Sequence, residues 1–222
     1  SFAKLDGGAG TDTINWAESI SADGQSLTLT TGGAVNFENL TGSGYADTLT
    51  GDDNANVLAG GSGLDTLYGL DGNDTLYAGN STQYQPGCID TTYICAGTGS
   101  DNDALYGGAG DDSLGGNTGN NTLDGGTGKD IITSGSGSDT IVIRSGDGST
   151  DIANADILTD FTDGTDVIGL DSITFDSLTI VQGSGDYASH TLVSLTSSDE
   201  YLLIIQNTTA SNVSAPDFAS TS

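Results

Sequence analysis

At 222 residues the chain is long enough for one elongated domain or two small ones. It holds 35 Gly, 2 Pro and no Met, and 31 acidic residues outweigh 3 basic ones for a formal net charge of -28. That balance makes nucleic acid and anionic membranes poor partners, because a strongly negative surface repels phosphate. No run reaches the roughly eighteen apolar residues that a spanning helix needs, so no membrane span is expected.

In chain order, the N-terminus SFAKLDGGAG shows no charged and apolar leader of the Sec type. It opens inside a motif, which suggests a piece of a longer chain. An isolated block, GGAGTDTIN, starts at Gly7. Residues 16–41 then lose its period. SLTLT and AVNFENL read as two short strands leading inward, with Leu27, Leu29, Val35 and Phe37 alternating. Residues 1–41 are therefore assigned as flanking strands with one isolated repeat.

From Gly42 the sequence repeats every nine residues: GSGYADTLT, GDDNANVLA, GGSGLDTLY, GLDGNDTLY. Residues 78–97 interrupt it, and it resumes at Thr98 as TGSDNDALY, GGAGDDSLG, GNTGNNTLD, GGTGKDIIT and SGSGSDTIV. The sixth place is always Asp or Asn and the eighth always Leu or Ile. Within the interruption, Cys88 and Cys95 favour a disulfide in an oxidising compartment, ahead of free thiols; zinc is disfavoured because it usually takes four ligands. Residues 42–143 are assigned as the repeat domain.

The block has a direct physical reading. Six residues of Gly, Asp and Asn suit a tight turn, and the three that follow place one apolar side chain between two outward ones, a short strand. Turn plus strand, repeated, winds a coil with two blocks per circuit, so turns eighteen residues apart stack at strand spacing. Carboxylates stacked about 5 Å apart repel by roughly 3 kcal/mol at an effective dielectric near 20. A divalent cation between turns reverses that sign. Oxygen-only ligands point to calcium rather than zinc or copper, and magnesium is less suited because it holds its waters.

These blocks resemble the RTX (repeats in toxin) nonapeptide, GGxGxDxUx with U a large apolar residue; GGSGLDTLY, GGAGDDSLG and GGTGKDIIT match at every marked place. The resemblance implies an all-β fold: a parallel β-roll, a solenoid of nonapeptide repeats, with flanking strands and an antiparallel β C-terminal cap. It also implies several calcium ions, each held by sixth-place side chains and turn carbonyls. Carried onto this sequence, one column is Asp47, Asp65, Asp103, Asn121 and Asp139, and the other Asn56, Asp74, Asp112 and Asp130. The turn glycines assigned to the same sites are Gly60, Gly61, Gly63, Gly69, Gly72, Gly107, Gly108, Gly110, Gly116, Gly119, Gly125, Gly126, Gly128, Gly135 and Gly137. GSGYADTLT and GDDNANVLA lack parts of the glycine pattern, and Asn56 and Asn121 are neutral, which weakens the calcium expectation there. NFENLTGSGYADTLTG extends the resemblance back to about Gly7.

After Val142 the pattern changes. ITFDSLTIV, HTLVSL and YLLIIQN read as strands of antiparallel hairpins that cover the open end of the roll, over residues 144–222. DILTDFTDGTDVIGL and the late PDF resemble the ends of type I-secreted proteins, which implies export through an ABC transporter by a C-terminal signal. Asp160, Asp163 and Asp166 read as turn-forming carboxylates ahead of a further calcium site.

Little points to catalysis. His190 is the only histidine, and neither GxSxG nor HExxH occurs. Trp16, Tyr68, Tyr77 and Tyr106 read as surface packing ahead of a sugar-stacking face. The resulting expectation is a non-enzymatic, secreted or cell-surface bacterial module that folds on calcium and supports the export of upstream domains. Two alternatives are a binding surface of a large adhesin, for glycans, cells or ice, and a non-catalytic module of a polysaccharide-modifying enzyme.

Overall fold

The computed structural model describes residues 5–6, 13–15, 26–28, 34–35, 37–79 and 102–221. The first strands are β1 (Leu5–Asp6), β2 (Thr13–Asn15), β3 (Ser26–Thr28), β4 (Ala34–Val35), β5 (Asn39–Thr41) and β6 (Thr48–Thr50). There follow β7 (Val57–Gly61), β8 (Thr66–Asp71), β9 (Thr75–Gly79), β10 (Ala104–Ala109), β11 (Ser113–Gly115), β12 (Thr122–Thr127), β13 (Ile131–Thr133) and β14 (Thr140–Arg144). The last are β15 (Asp156–Leu158), β16 (Val167–Asp171), β17 (Leu178–Gln182), β18 (Thr191–Leu195), β19 (Tyr201–Ile205) and β20 (Phe218–Ser220).

Consecutive blocks fall on opposite sheets. One sheet runs β3-β6-β8-β10-β12-β14-β16-β20 and the other β2-β5-β7-β9-β11-β13-β15-β19-β18-β17. Pairing along the repeats is parallel and in register: Leu49 lies beside Leu67, Leu67 beside Leu105 and Leu105 beside Leu123. Leu58, Leu76, Leu114 and Ile132 form the matching row opposite. This is a β-roll with two blocks per circuit, and the insertion at 78–97 leaves the alternation of sheets unchanged. Each of these eighth-place side chains is at most 2% exposed. The rows meet in one apolar core, and removing any member costs its burial plus the void left behind.

Parallel stacking extends beyond the consensus blocks at both ends. Ile14 pairs with Leu40 and Leu40 with Leu58, so GAVNFENLT is a degenerate block with Glu38 at the sixth place. At the far end Ile132 pairs with Leu158 and Ile141 with Ile168, past the residue 143 boundary expected from the glycine pattern. Asp156–Leu158 and Asp166–Ile168 keep the sixth-to-eighth triplet; a 3-10 turn at Ile152–Asn154 precedes the first, and the second keeps only the fourth-place glycine, Gly164, at φ +71°. An inward apolar residue flanked by extended backbone is enough to continue a sheet.

The antiparallel cap is also present. β17, β18 and β19 pair antiparallel, while β19 and β20 attach in parallel to β15 and β16. Val193, Leu203, Ile205 and Val213 are buried in the same core as the repeat leucines. Among the described residues no helix is long and apolar enough to cross a membrane. Cys88, Cys95 and Trp16 lie outside the described residues.

Candidate metal centres

The sixth-place side chains stack in the two columns expected from the repeat. The Asp47 N–H donates to Asp65 Oδ1 (2.8 Å), Asp65 N–H to Asp103 Oδ1 (2.8 Å), Asp103 N–H to Asn121 Oδ1 (2.9 Å) and Asn121 N–H to Asp139 Oδ1 (2.7 Å). In the other column Asn56, Asp74 and Asp112 donate in the same way to Asp74, Asp112 and Asp130 (2.7, 2.6 and 2.8 Å). Each column gains a rung beyond the repeats: Asp130 N–H donates to Asp156 Oδ1 (2.9 Å) and Asp139 N–H to Asp166 Oδ1 (3.1 Å). Sequence reading gave Asp156 no role. Its only signal was the triplet Asp-x-Leu, detached from any glycine.

One carboxylate oxygen is thus spent on the ladder, and the other meets the turn. Oδ2 of Asp74, Asp112, Asp130 and Asp139 is buried with no hydrogen-bond partner among the described residues. A Cβ added at Gly69 would collide with Asp74 Oδ2 and Gly107 O, and one at Gly107 with Asp112 Oδ2 and Gly125 O. Oxygens from successive turns therefore converge beside a glycine. Gly108 and Gly110 adopt φ of +113° and +136° and pass directly over carbonyls of the turn below, where only glycine fits both torsion and space.

Burial first, and neighbouring carboxylates second, push these groups toward the neutral form. Asp74 and Asp130 are raised to about 7, Asp112 and Asp139 to about 6, and Asp156 to about 8. No basic side chain among the described residues relieves them; only Asp139 gains a little from the side chain of Asn121. Arg144, the chain's single arginine, is engaged by Asp124, by Asp147 (3.1 Å) and by Asp171 (3.0 Å). Lys129 makes no ion pair among the described residues.

Other rungs satisfy themselves. Asn121 Nδ2 donates to Gly116 O (2.9 Å), so a protein N–H occupies the place a cation would take. Asn56 Oδ1 accepts the Asp52 N–H (2.6 Å), and Asp47 Oδ2 accepts the backbone N–H and hydroxyl of Ser43. Asp160 caps the turn of the last repeat by accepting from Ser134 N–H (2.8 Å) and Gly135 N–H (2.8 Å), while Asp163 is exposed.

The donors fit a hard cation. Among the described residues no three Asp, Glu, His or Cys side chains converge, so an ion must be shared between carboxylates and main-chain carbonyls. That mixture suits calcium. His190 accepts the Asn207 N–H at Nδ1 (3.1 Å), tying two turns of the cap together. Tyr68 and Tyr106 stack on each other, with centroids 5.1 Å apart and planes 11° apart, so they spend ring faces on each other.

Comparison with known proteins agrees with the geometry. Residues 36–67, 50–81, 98–123, 107–141 and 115–150 match the sequence model of the RTX calcium-binding nonapeptide repeat (4 copies). No curated protein matches the chain in sequence. Among solved structures it is similar to the AlgE6R2 subunit of the Azotobacter vinelandii mannuronan C5-epimerase, at 23% identity over 55% of this chain and 83% of that one, with a TM-score of 0.41. It is also similar to the AlgE6R3 subunit of the same enzyme, at 19% identity over 79% and 78%, with a TM-score of 0.32. With its ninefold period, stacked sixth-place carboxylates and buried eighth-place rows, the repeat region spanning residues 36–81 and 98–150 belongs to the RTX calcium-binding nonapeptide repeat family.

Proposed function

We propose that this chain is a calcium-driven folding module, without catalytic activity of its own, that supports export and stability of a larger extracellular bacterial protein. The observation that carries it is the pair of columns of buried aspartates whose Oδ2 atoms, at Asp74, Asp112, Asp130 and Asp139, have no hydrogen-bond partner among the described residues.

The ligands on this reading are the sixth-place carboxylates and the carbonyls of the turn glycines above and below them. Bound calcium supplies the positive charge that these columns lack. In a calcium-poor cytosol the carboxylates repel and the roll does not close, leaving an extended chain suited to passage through a type I exporter. Outside, millimolar calcium binds only the stacked turns, and that preference becomes folding free energy. Residues 42–143 act as the switched roll and 144–222 as its cap and export end, with upstream domains as cargo.

A calcium titration followed by circular dichroism tests the reading. Expected is little β signal in chelator at pH 7.5 and a cooperative gain with calcium; a fully formed spectrum in chelator, unchanged by calcium, contradicts it.

A further inference from the structure

The sixth place is not the only one that ties a turn to the next. At the fifth place, which the nonapeptide pattern leaves open, Asp111 N–H donates to Asn73 Oδ1 (3.2 Å) and Lys129 N–H to Asp111 Oδ1 (3.0 Å). In the other column Asn120 N–H donates to Asn102 Oδ1 (2.7 Å) and Ser138 N–H to Asn120 Oδ1 (2.8 Å). The direction is the reverse of the sixth-place ladder. There the earlier turn donates and the later one accepts; here the later turn donates and the earlier one accepts.

Two neighbouring residues thus clasp each of these steps from both sides. Asp112 N–H donates to Asp130 Oδ1 (2.8 Å) while Lys129 N–H returns to Asp111 Oδ1 (3.0 Å). One bond lets a turn pivot on its neighbour, whereas a reciprocal pair fixes separation and rotation together. The clasp also bears on the main-chain oxygens. The peptide joining Gly110 to Asp111 is trans and planar, so an N–H drawn down to Asn73 Oδ1 turns the Gly110 carbonyl up. That oxygen lies 1.8 Å from where a Cβ on Gly128 would stand, and Gly119 O lies 1.7 Å from the same point on Gly137. Gly72 O takes this course with only Ala55 at the fifth place of the turn before it, so glycine permits the orientation and the clasp secures it. The first blocks have no such device: Ala46, Ala55 and Leu64 stand at their fifth places and carry no side-chain acceptor.

We propose that the fifth-place side chains of Asn73, Asn102, Asp111 and Asn120 are positioning residues for the calcium sites. They hold successive turns at a set separation and keep turn carbonyls facing the gap, so that an ion meets oxygens already in place. None of the four needs to touch the ion. Ligands fixed beforehand lower the ordering cost of binding, which raises affinity without a new contact. The proposal rests on the reading of the repeat turns as calcium sites and adds to it a place that the pattern leaves unassigned.

Asp111 separates this role from charge. Asp111→Asn and Asp111→Ala both remove the carboxylate charge, and only the second removes the acceptor; Asn already stands at this place at 73, 102 and 120. In calcium titrations of the full chain followed by circular dichroism, Asp111→Ala should have a midpoint roughly five-fold above that of Asp111→Asn, the worth of one hydrogen bond. Coinciding midpoints in a chain that still responds to calcium overturn the proposal and leave the calcium reading standing. A wild type indifferent to calcium overturns both. Amide exchange by NMR in the calcium-saturated wild type needs no variant. Lys129 and Ser138 N–H should be protected although they lie at the rim of the turns; exchange at the rate of an open amide overturns the proposal.

Discussion

The consensus turns of the roll and the cap that follows them handle buried negative charge in opposite ways. In the turns at Asp74, Asp112, Asp130 and Asp139 one carboxylate oxygen is left without a protein donor among the described residues. In the cap, donors are built in: Asp160 takes two backbone N–H groups, Asp217 takes Ser214 N–H (2.8 Å), and Glu200 takes Gly146 N–H (2.7 Å) and Gly148 N–H (3.1 Å). Arg144 joins β12, β14 and β16 through Asp124 and Asp171. Both regions share one apolar core, so packing does not separate them. On the proposed calcium reading, metal dependence belongs to the turns, whereas these carboxylates of the cap are satisfied by backbone donors of the cap and of the last repeat.

Truncating the shared core should do the most damage, and to both regions alike. Leu114→Ala removes a side chain 2% exposed from the centre of a row. A loss of about 2–5 kcal/mol is expected from denaturant midpoints in saturating calcium; a loss below about 1 kcal/mol breaks the claim of a tightly packed common core.

Acid should substitute for calcium in the roll. Burial raises the native pKa of Asp74, Asp112, Asp130, Asp139 and Asp156 to between about 6 and 8, above the value of about 4 in an unfolded chain. Ionisation is therefore costlier in the native state. The metal-free roll is at full stability below about pH 4 and loses it as pH rises through 6 to 8. In chelator, β signal by circular dichroism should be regained as pH falls from 7.5 to 4.5. Unchanged disorder would show that carboxylate charge is not what keeps the roll open.

Single substitutions sharpen the contrast further. Asp112→Asn should raise the calcium midpoint for folding several-fold, whereas Asp160→Asn should cost about 1 kcal/mol with no shift in the number of ions bound. Asn121→Asp works the other way: it removes the Nδ2 donor that now satisfies Gly116 O. One additional ion by native mass spectrometry is expected, and an unchanged count would show that the turn at Gly116 cannot accept a cation.

The columns and the core were legible in the sequence because a nine-residue period states them outright: Asp at the sixth place and Leu or Ile at the eighth fix both stacks and the alternation of sheets. The extra rungs were not. Leu40, Leu158 and Ile168 occupy eighth places whose blocks keep at most one glycine of the pattern, so pairing reveals them.

Hydrogen exchange with mass spectrometry, on the chain in chelator and in calcium at pH 7.5, compares the two regions in a single experiment. Without calcium, amides of residues 48–79 and 102–142 should exchange within seconds, and calcium should protect them by orders of magnitude, more steeply than it protects residues 178–205. Equal protection of residues 48–79 and 102–142 in both conditions would contradict the claim that bound cations hold the turns together.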